Sequence, residues 1–114
     1  MNLIVQKPWG SYEVIEKGKN YLIKKIIVVP EAKLSLQSHQ YRSEHWVIIE
    51  GIAKVTIDDV VKELKQNESI FVPKKSKHRI ENNNTKNLVI IEVQYGNILK
   101  EEDIIRYKDI YNRN

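Results

Sequence analysis

The sequence predicts an all-β domain, built as a sandwich or jelly roll. Short runs rich in valine, isoleucine and tyrosine recur along the chain, and turn residues separate them. Helical periodicity is almost absent until the C-terminal segment. Many short strands at a spacing of roughly ten residues are typical of antiparallel sheets that pack on each other or close into a barrel. We therefore expect one compact domain over residues 1–114.

The N-terminal half contains five of the predicted strands. They span residues 12–16, 21–29, 34–39, 46–49 and 52–57. The turn residues from Gly18 to Asn20 separate the first two strands. Pro30 ends the second strand, because proline has no N–H to donate to a sheet. Glu50 and Gly51 predict a hairpin turn between the last two.

The C-terminal half continues the pattern and adds one helix. The predicted extended segments are 60–64, 70–72, 79–80 and 88–95. Asp58 and Asp59 form a turn before the first of them, and residues 82–84 form a polar turn before the last. Residues 101–108 are predicted to be helical, because acidic residues begin this segment and basic residues end it.

Composition limits the compartment and the partners. The chain has no cysteine, which favours a reducing compartment, and it has no long apolar segment. We therefore expect a cytoplasmic protein without a membrane partner. Nineteen lysines and arginines against fifteen acidic residues give a net charge of +4, which could favour nucleic acid or a phosphorylated small molecule. The basic residues are scattered and form no nucleic-acid motif, so no nucleic-acid partner is expected.

Four side chains predict a site for a divalent metal ion. Gln37 and His39 lie two residues apart on an extended segment, so both point to the same face. Glu44 follows shortly after, and His78 comes after the turn that begins at Pro73. Two imidazoles, a carboxylate and an amide oxygen form a mixed nitrogen and oxygen set that suits zinc, manganese, cobalt, nickel or iron.

The spacing of these residues resembles the two sequence motifs of the cupin family. The first motif runs through Glu31, Gln37, His39, Glu44 and Gly51, and the second through Asn67, Pro73, Lys75, His78 and Asn82. The resemblance implies a cupin double-stranded β-helix, a jelly-roll barrel, with its metal-site core at about residues 31–82. Glu31, Asn67 and Lys75 stand where the motifs have glycine. Asparagine is the one of these three that best tolerates a left-handed turn conformation.

Gln37 indicates one subfamily of the cupins, because phosphomannose isomerases have glutamine where most cupins have the first histidine of the motif. Local segments agree with that subfamily along nearly the whole chain: KPWGSYE at 7–13, LSLQ at 34–37, RSEHW at 42–46, HRIEN at 78–82 and IEVQYG at 91–96. The chain resembles the C-terminal isomerase domain of the bifunctional (type II) mannose-6-phosphate isomerases and mannose-1-phosphate guanylyltransferases. The guanylyltransferase half, with its glycine-rich phosphate loop, is not among these residues, so guanylyl transfer is not expected.

The resemblance implies an enzyme that interconverts mannose 6-phosphate and fructose 6-phosphate through a cis-enediol. Gln37, His39, Glu44 and His78 would hold the metal, with zinc as the first choice, and the metal would stabilise the enediolate charge. Gln37 could instead be an amide beside a three-ligand metal. The expected ligand is a sugar phosphate, and a homodimer is expected.

Further residues receive predicted roles on the same basis. Arg42 matches an arginine of the isomerase signature and is predicted to be catalytic. Tyr41, Gln94 and Lys24 are predicted to bind the substrate, although Tyr41 stands where the bifunctional enzymes often have histidine. His45 and Trp46 are interpreted as packing residues.

Two alternatives to the isomerase stay open. One is a non-catalytic cupin module that binds a metal ion and a sugar phosphate. The other is another cupin of a nucleotide-sugar pathway, such as an epimerase-like protein. Because epimerising cupins rely on a His–Asp pair and usually need no metal, the predicted metal ligands argue against the epimerase.

Overall fold

The computed structural model describes residues 3–111 and 113. This part of the chain forms β-strands joined by turns and loops. The strands are β1 (Ile4–Lys7), β2 (Gly10–Gly18), β3 (Tyr21–Val28), β4 (Leu36–Ser38), β5 (Ser43–Glu50), β6 (Ala53–Ile57), β7 (Val60–Leu64), β8 (Ser69–Val72), β9 (His78–Glu81), β10 (Leu88–Tyr95) and β11 (Ile105–Lys108).

The strands form two antiparallel sheets that pack face to face. One sheet has six strands in the order β1-β2-β3-β10-β5-β8, and the other has five in the order β11-β4-β9-β6-β7. The predicted all-β jelly roll is therefore confirmed. The turn predicted at Glu50 and Gly51 is present, and Gly51 has a φ of +87°, but the predicted hairpin is wrong, because β5 and β6 lie in different sheets and do not pair. Glycine adopts such an angle without steric cost.

The predicted C-terminal helix is wrong. Residues 101–102 form a turn, and Ile105–Lys108 is strand β11, which pairs antiparallel with β4. Ile105 and Tyr107 have side chains that favour strands, and the open edge of β4 offers hydrogen bonds to them. Over the residues that the structure describes, no helix is long and apolar enough to cross a membrane.

The space between the sheets holds the hydrophobic core. Alternate residues of β3 are buried, as are alternate residues of β10, so each strand turns one face inward. The core cluster includes Trp9, Ile26, Val28, Trp46, Ile48, Val55, Val72, Ile80, Leu88 and Ile90. Burying a side chain of this size contributes about 1.5–3 kcal/mol of stability.

Strand β10 shows where the apolar core changes into a polar site. Its inward positions are Leu88, Ile90, Glu92 and Gln94, and all four are buried. Neighbouring strands show the same change. In the sheet register, Lys24 of β3 lies opposite Glu92, and Glu44 of β5 lies opposite Gln94. One end of the sheet interior is therefore apolar, and the other carries charged groups.

The three non-glycine residues at motif glycine positions all have a left-handed backbone. The φ angles are 62° at Glu31, 69° at Asn67 and 70° at Lys75. The glycine positions of the cupin motifs therefore keep their backbone conformation after glycine has been replaced. The Lys75 N–H donates to the carbonyl of His39 over 2.8 Å, so this turn is tied to the strand that leads into the predicted metal site.

Candidate metal centre

The predicted metal ligands come from three strands and one loop. Gln37 lies on β4, His39 directly after it, Glu44 on β5 and His78 at the start of β9. Gln37 and His78 are direct partners across the β4–β9 pair, so their side chains share a face. Ligand atoms of His39, Glu44 and His78 all lie within 4.8 Å of one another, and all three residues are buried.

Backbone carbonyls orient both imidazoles. His39 Nδ1 lies 2.6 Å from the carbonyl oxygen of Asp103, and His78 Nδ1 lies 3.1 Å from that of Ser76. Because a carbonyl only accepts, each Nδ1 must carry the proton and donate it. Each Nε2 is then left with a lone pair directed into the site. This is the arrangement by which metal-binding histidines are usually held.

Glu44 is held from two sides. Its Oε2 accepts from Arg42 Nε over 2.8 Å, and its Oε1 accepts from Trp46 Nε1 over 3.0 Å. Oε2 also lies 3.3 Å from His39 Nε2. An unprotonated imidazole nitrogen and a carboxylate oxygen are both acceptors, so only a positively charged group or a donor between them stabilises this contact.

Arg42 supplies a positively charged donor to His39, whereas His78 Nε2 accepts no hydrogen bond from it. Arg42 Nη2 donates to His39 Nε2 over 3.3 Å, so its guanidinium bridges His39 and Glu44. His78 Nε2 is buried and has no hydrogen-bond partner among residues 3–111 and 113. A buried acceptor without a partner costs free energy.

Both histidines are held neutral, as metal ligands must be. Burial, together with the nearby charge of Arg42, lowers the pKa of His39 to about 4. Burial also lowers the pKa of His78 to about 4. Neither ring is protonated at neutral pH, so neither repels a cation.

A second carboxylate lies behind Glu44. Glu92 Oε1 accepts from Trp46 Nε1 over 3.0 Å, and Glu92 Oε2 accepts from Gln94 Nε2 over 2.8 Å. Burial and the nearby charge of Glu44 raise the pKa of Glu92 to about 7. The site therefore holds one carboxylate fixed by Arg42 and a second that gains or loses its proton near neutral pH.

The residues present fit a divalent metal ion. The group of His39, Glu44 and His78 offers two neutral imidazole nitrogens and one carboxylate oxygen at mutual distances suited to a single ion. The unpartnered Nε2 of His78 would gain a partner by ligating it. Gln37 lines the same cavity, but its amide nitrogen donates to Ser35 Oγ over 3.1 Å, which leaves its oxygen as the atom that could reach a metal.

The site opens into a cavity of about 330 Å³. Gln37, Glu44 and His78 lie on its wall beside the apolar Trp9, Ile26 and Ile80. Cationic side chains line it too: Lys7, Lys24, Arg42, Arg79, Arg106 and Arg113. The cavity volume falls in the usual range for small-molecule sites, and its cations favour an anionic ligand.

The structure brings some of the other predicted site residues to this cavity. Arg42 is buried there with its guanidinium on Glu44. Lys24 also lines the cavity, but its ammonium is paired with Glu101 over 2.6 Å and lies 4.0 Å from the centre of the Tyr12 ring. The predicted substrate contact of Lys24 stays a prediction.

The remaining predicted residues lie away from the cavity wall. Tyr41 is 50% exposed on the loop after β4, and its backbone N–H donates to Asp103. Gln94 is buried behind Glu92. Of the two residues interpreted as packing residues, His45 is exposed on the outer face of its strand, whereas Trp46 lies inside and binds both carboxylates.

Three residues of the site were missing from the prediction. Asp103 orients His39 through its carbonyl, Glu92 shares Trp46 with Glu44, and Arg106 lies on the cavity wall. Inward alternation along β10 was a signal for Glu92. The contacts of Asp103 and the placement of Arg106 depend on how the C-terminal segment packs against β4, which no local sequence signal shows.

Two facing antiparallel sheets, with histidines and a glutamate directed into the space between them, define the protein as a cupin. More narrowly, the chain belongs to the family described as mannose-6-phosphate isomerase C-terminal, whose model matches residues 1–109.

Curated relatives match nearly the whole chain. It is 46% identical over 109 residues to a mannose-1-phosphate guanylyltransferase of Escherichia coli, covering 96% of this chain and 23% of that protein. The alginate biosynthesis protein AlgA of Pseudomonas aeruginosa gives the same identity and coverage. The xanthan biosynthesis protein XanB of Xanthomonas campestris is 44% identical, again with 96% and 23% covered. The chain thus spans less than a quarter of the length of these relatives.

Solved structures confirm the fold. An RmlC-like cupin from Shewanella frigidimarina superposes with a TM-score of 0.76 at 20% identity, covering 89% of this chain and 87% of that one. The capsular polysaccharide assembling protein CapF of Staphylococcus aureus superposes with a TM-score of 0.80 at 18% identity, covering 95% of this chain and 34% of that one. At such identities the likeness concerns the fold alone.

The predicted isomerase activity is wrong. Relatives that cover nearly the whole chain are named for guanylyl transfer and for alginate or xanthan biosynthesis, not for isomerisation. The catalytic role predicted for Arg42 rested on the isomerase and has no support without it. These relatives agree better with the alternatives to the isomerase, which are a non-catalytic cupin module or another cupin of a nucleotide-sugar pathway.

Proposed function

We propose that this chain is a cupin module that binds one divalent metal ion and a sugar phosphate without converting it. The observation that carries the proposal is the group of three buried acceptors, His39 Nε2, His78 Nε2 and a Glu44 oxygen. Two of these residues, Glu44 and His78, line a cavity that cations line too. Gln37 is the fourth candidate ligand.

The acceptor group supports the metal half of the proposal. Its nitrogens are unprotonated, its carboxylate is fixed, and one of its nitrogens is buried without a partner. Zinc is the first choice, since two imidazoles and a carboxylate are frequent zinc ligands, and manganese, cobalt, nickel and iron suit the same atoms. When bound, the metal would supply a positive centre that can accept a sugar oxygen as a further ligand.

The cavity supports the sugar-phosphate half. Its volume of about 330 Å³ is in the range of sites for small molecules. Sugars stack on aromatic and apolar surface and bond through hydroxyls, and the cavity offers both kinds of contact at Trp9, Tyr12 and Glu92. The names of the relatives point to mannose phosphates as the first ligands to test.

Thermal unfolding of the metal-stripped protein tests metal binding. Added zinc, manganese or cobalt at about a thousand times its Kd should stabilise the native state by about 4 kcal/mol, because only the folded chain gathers the ligands. That gain corresponds to a rise in the thermal midpoint of roughly 15–20 °C.

Histidine variants separate the site from nonspecific binding. His78→Ala should lose most of the metal-induced rise. His45→Ala is the matched control and should keep it, because His45 is exposed on the outer face and contacts Phe71.

Calorimetric titration of the metal-loaded protein with mannose 1-phosphate and mannose 6-phosphate tests the proposed binding of a sugar phosphate. Equal midpoints with and without metal, or no heat from either sugar phosphate, would contradict the corresponding half.

A further inference from the structure

Most of the cationic side chains on the cavity wall already have partners. Lys24 is paired with Glu101, and Arg42 with Glu44. Arg79 donates to the carbonyls of Leu34 and Lys108, and Arg113 is paired with Asp109. The Lys7 Nζ atom lies 5.9 Å from the centre of the Tyr12 ring. Charges satisfied in this way help to shape the cavity but have little left to offer a ligand.

Arg106 differs from these cations. Its Nε is buried and has no hydrogen-bond partner among the residues that the structure describes. Its side chain lines the cavity. A buried N–H of a guanidinium carries a full share of the positive charge and is costly to leave without an acceptor. An anion in the cavity would provide that acceptor.

The sheet register places Arg106 in line with the metal ligands. Arg106 of β11 is the direct partner of Gln37 on β4, and Gln37 is the direct partner of His78 on β9. Directly opposed residues of antiparallel strands have side chains on the same face. Arg106, Gln37 and His78 therefore form one row across three neighbouring strands, with strands about 5 Å apart. The row spans roughly 10 Å from end to end.

We propose that Arg106 is the oxyanion-binding residue of this cavity and holds the phosphate group of the bound sugar phosphate. The inference rests on the proposed function, because it names the second point at which the same ligand is held. A hexose phosphate has hydroxyl oxygens at one end and a dianionic group at the other. The row matches this polarity, with the candidate metal ligands at one end and a guanidinium at the other.

A guanidinium binds the phosphate group of a hexose phosphate better than it binds the sugar hydroxyl groups. Its Nε–H and one Nη–H form a fork that two oxygens of a phosphate can accept from at once. Lys24, a cation predicted from the sequence to bind the substrate, is paired with Glu101. Arg106 is therefore the cation on the cavity wall that is left to bind the phosphate.

The test compares Arg106→Gln with Lys108→Gln on the full chain loaded with zinc. Lys108 lies on the same strand, is exposed and does not line the cavity, so its variant removes an equal charge without touching the cavity. Affinities for mannose 1-phosphate, mannose 6-phosphate, mannose and inorganic phosphate are measured by calorimetry. Zinc affinity and circular dichroism check that each variant keeps its metal and its fold.

Arg106→Gln should weaken binding of the sugar phosphates and of inorganic phosphate by about 10- to 100-fold, the usual effect of losing charge-assisted hydrogen bonds. It should leave zinc and mannose binding unchanged, and Lys108→Gln should bind every ligand like the wild type. Arg106→Lys should recover only part of the loss, because an ammonium lacks the fork.

Equal phosphate affinities in Arg106→Gln and wild type would overturn the inference while leaving the proposed function intact. Arg106-dependent binding of inorganic phosphate, without binding of any sugar phosphate, would uphold Arg106 as an oxyanion site and overturn the proposed sugar-phosphate function. If Arg106→Gln unfolds, the inference is decided by Arg106→Lys, whose phosphate affinity must fall for it to stand.

Discussion

Replacing Lys75 with glycine should stabilise the protein although it removes a whole side chain. Lys75 is exposed and has a φ of 70°, a conformation that costs an ordinary residue about 1–2 kcal/mol and glycine nothing. Its backbone N–H bond to the His39 carbonyl is kept in the variant. Glycine also gains unfolded-state entropy, which lowers stability by about 0.4–1 kcal/mol. The net gain should be about 0.5–1 kcal/mol.

Three further glycine variants should differ in stability according to the φ angle of the residue that each replaces. Glu31→Gly should gain a similar amount, because Glu31 is exposed at a φ of 62°. Asn67→Gly should be nearly neutral, since asparagine tolerates the left-handed region. Lys74→Gly is the control: Lys74 is exposed in the same turn but is not among the residues with positive φ, so only the entropic loss remains.

Urea unfolding in the presence of a chelator measures these differences without a contribution from bound metal. In thermal unfolding, the gains of about 0.5–1 kcal/mol in the free energy of unfolding correspond to a rise of about 2–5 °C in the midpoint. If Lys75→Gly loses as much stability as Lys74→Gly, the backbone at Lys75 is not strained and the predicted gain is wrong.

Two other predictions concern the metal-stripped protein and the metal affinity. His39 and His78 have pKa values of about 4 in the fold against 6.5 ordinarily, so their stabilising contribution is complete above pH 6.5 and is lost as the pH falls toward 4. Glu92 acts in the opposite sense: its pKa of about 7 against 4.5 gives a contribution that is lost as the pH rises through 7. Between about pH 5 and 6, His39 and His78 each bind a proton only in the unfolded state, and Glu92 binds one only in the native state. Unfolding therefore takes up about one proton, and the free energy of unfolding rises by roughly 1 kcal/mol per pH unit. Urea titrations should show this slope, and His78→Gln should nearly abolish it; a flat profile in the wild type would contradict the pKa assignments. Separately, Asp103→Ala should weaken zinc binding about 10-fold, because it frees the loop that its carboxylate holds by two backbone N–H groups. Asp59→Ala, in an exposed hairpin turn, should not change zinc affinity in the same chelator competition, and equal affinities in both variants would refute a supporting role for Asp103.

The strands were predictable where burial alternates along the chain. Leu88 to Tyr95 was expected as a strand and is strand β10, because every second side chain is buried against the facing sheet. The N-terminal strand β1 was missed, because none of its side chains is fully buried and its sequence, IVQK, does not alternate between apolar and polar residues. Local pattern succeeds where one face is clearly inside, and it fails on edge strands.

The C-terminal segment shows the opposite limit. Charges at its two ends favoured a helix for residues 101–108, whereas the edge of β4 captured Ile105–Lys108 as a strand. A weak local preference of a few tenths of a kcal/mol is easily outweighed by strand pairing and burial. The same pairing placed Arg106 opposite Gln37, so the error about the helix and the omission of Arg106 have one cause.

The candidate ligands were more predictable than their surroundings. Spacing identified His39, Glu44 and His78, and the structure brings them together. Their orienting partners were not predictable, because a backbone carbonyl such as that of Asp103 leaves no trace in residue identity. The homodimer expected from the resemblance stays a prediction, which analytical ultracentrifugation would decide.

The polar end of the interior supports the proposed binding site. A fold selected for stability alone would bury apolar side chains where Glu44, Glu92 and His78 lie, because buried charges and unpartnered acceptors cost free energy. Leu88 and Ile90 show that β10 does bury apolar residues at its other inward positions. The acceptors at the opposite end lower the stability of the metal-free protein, and a cation gathered by them would restore it. This cost in folding free energy therefore supports the proposal that the polar residues at this end of the cupin bind a ligand.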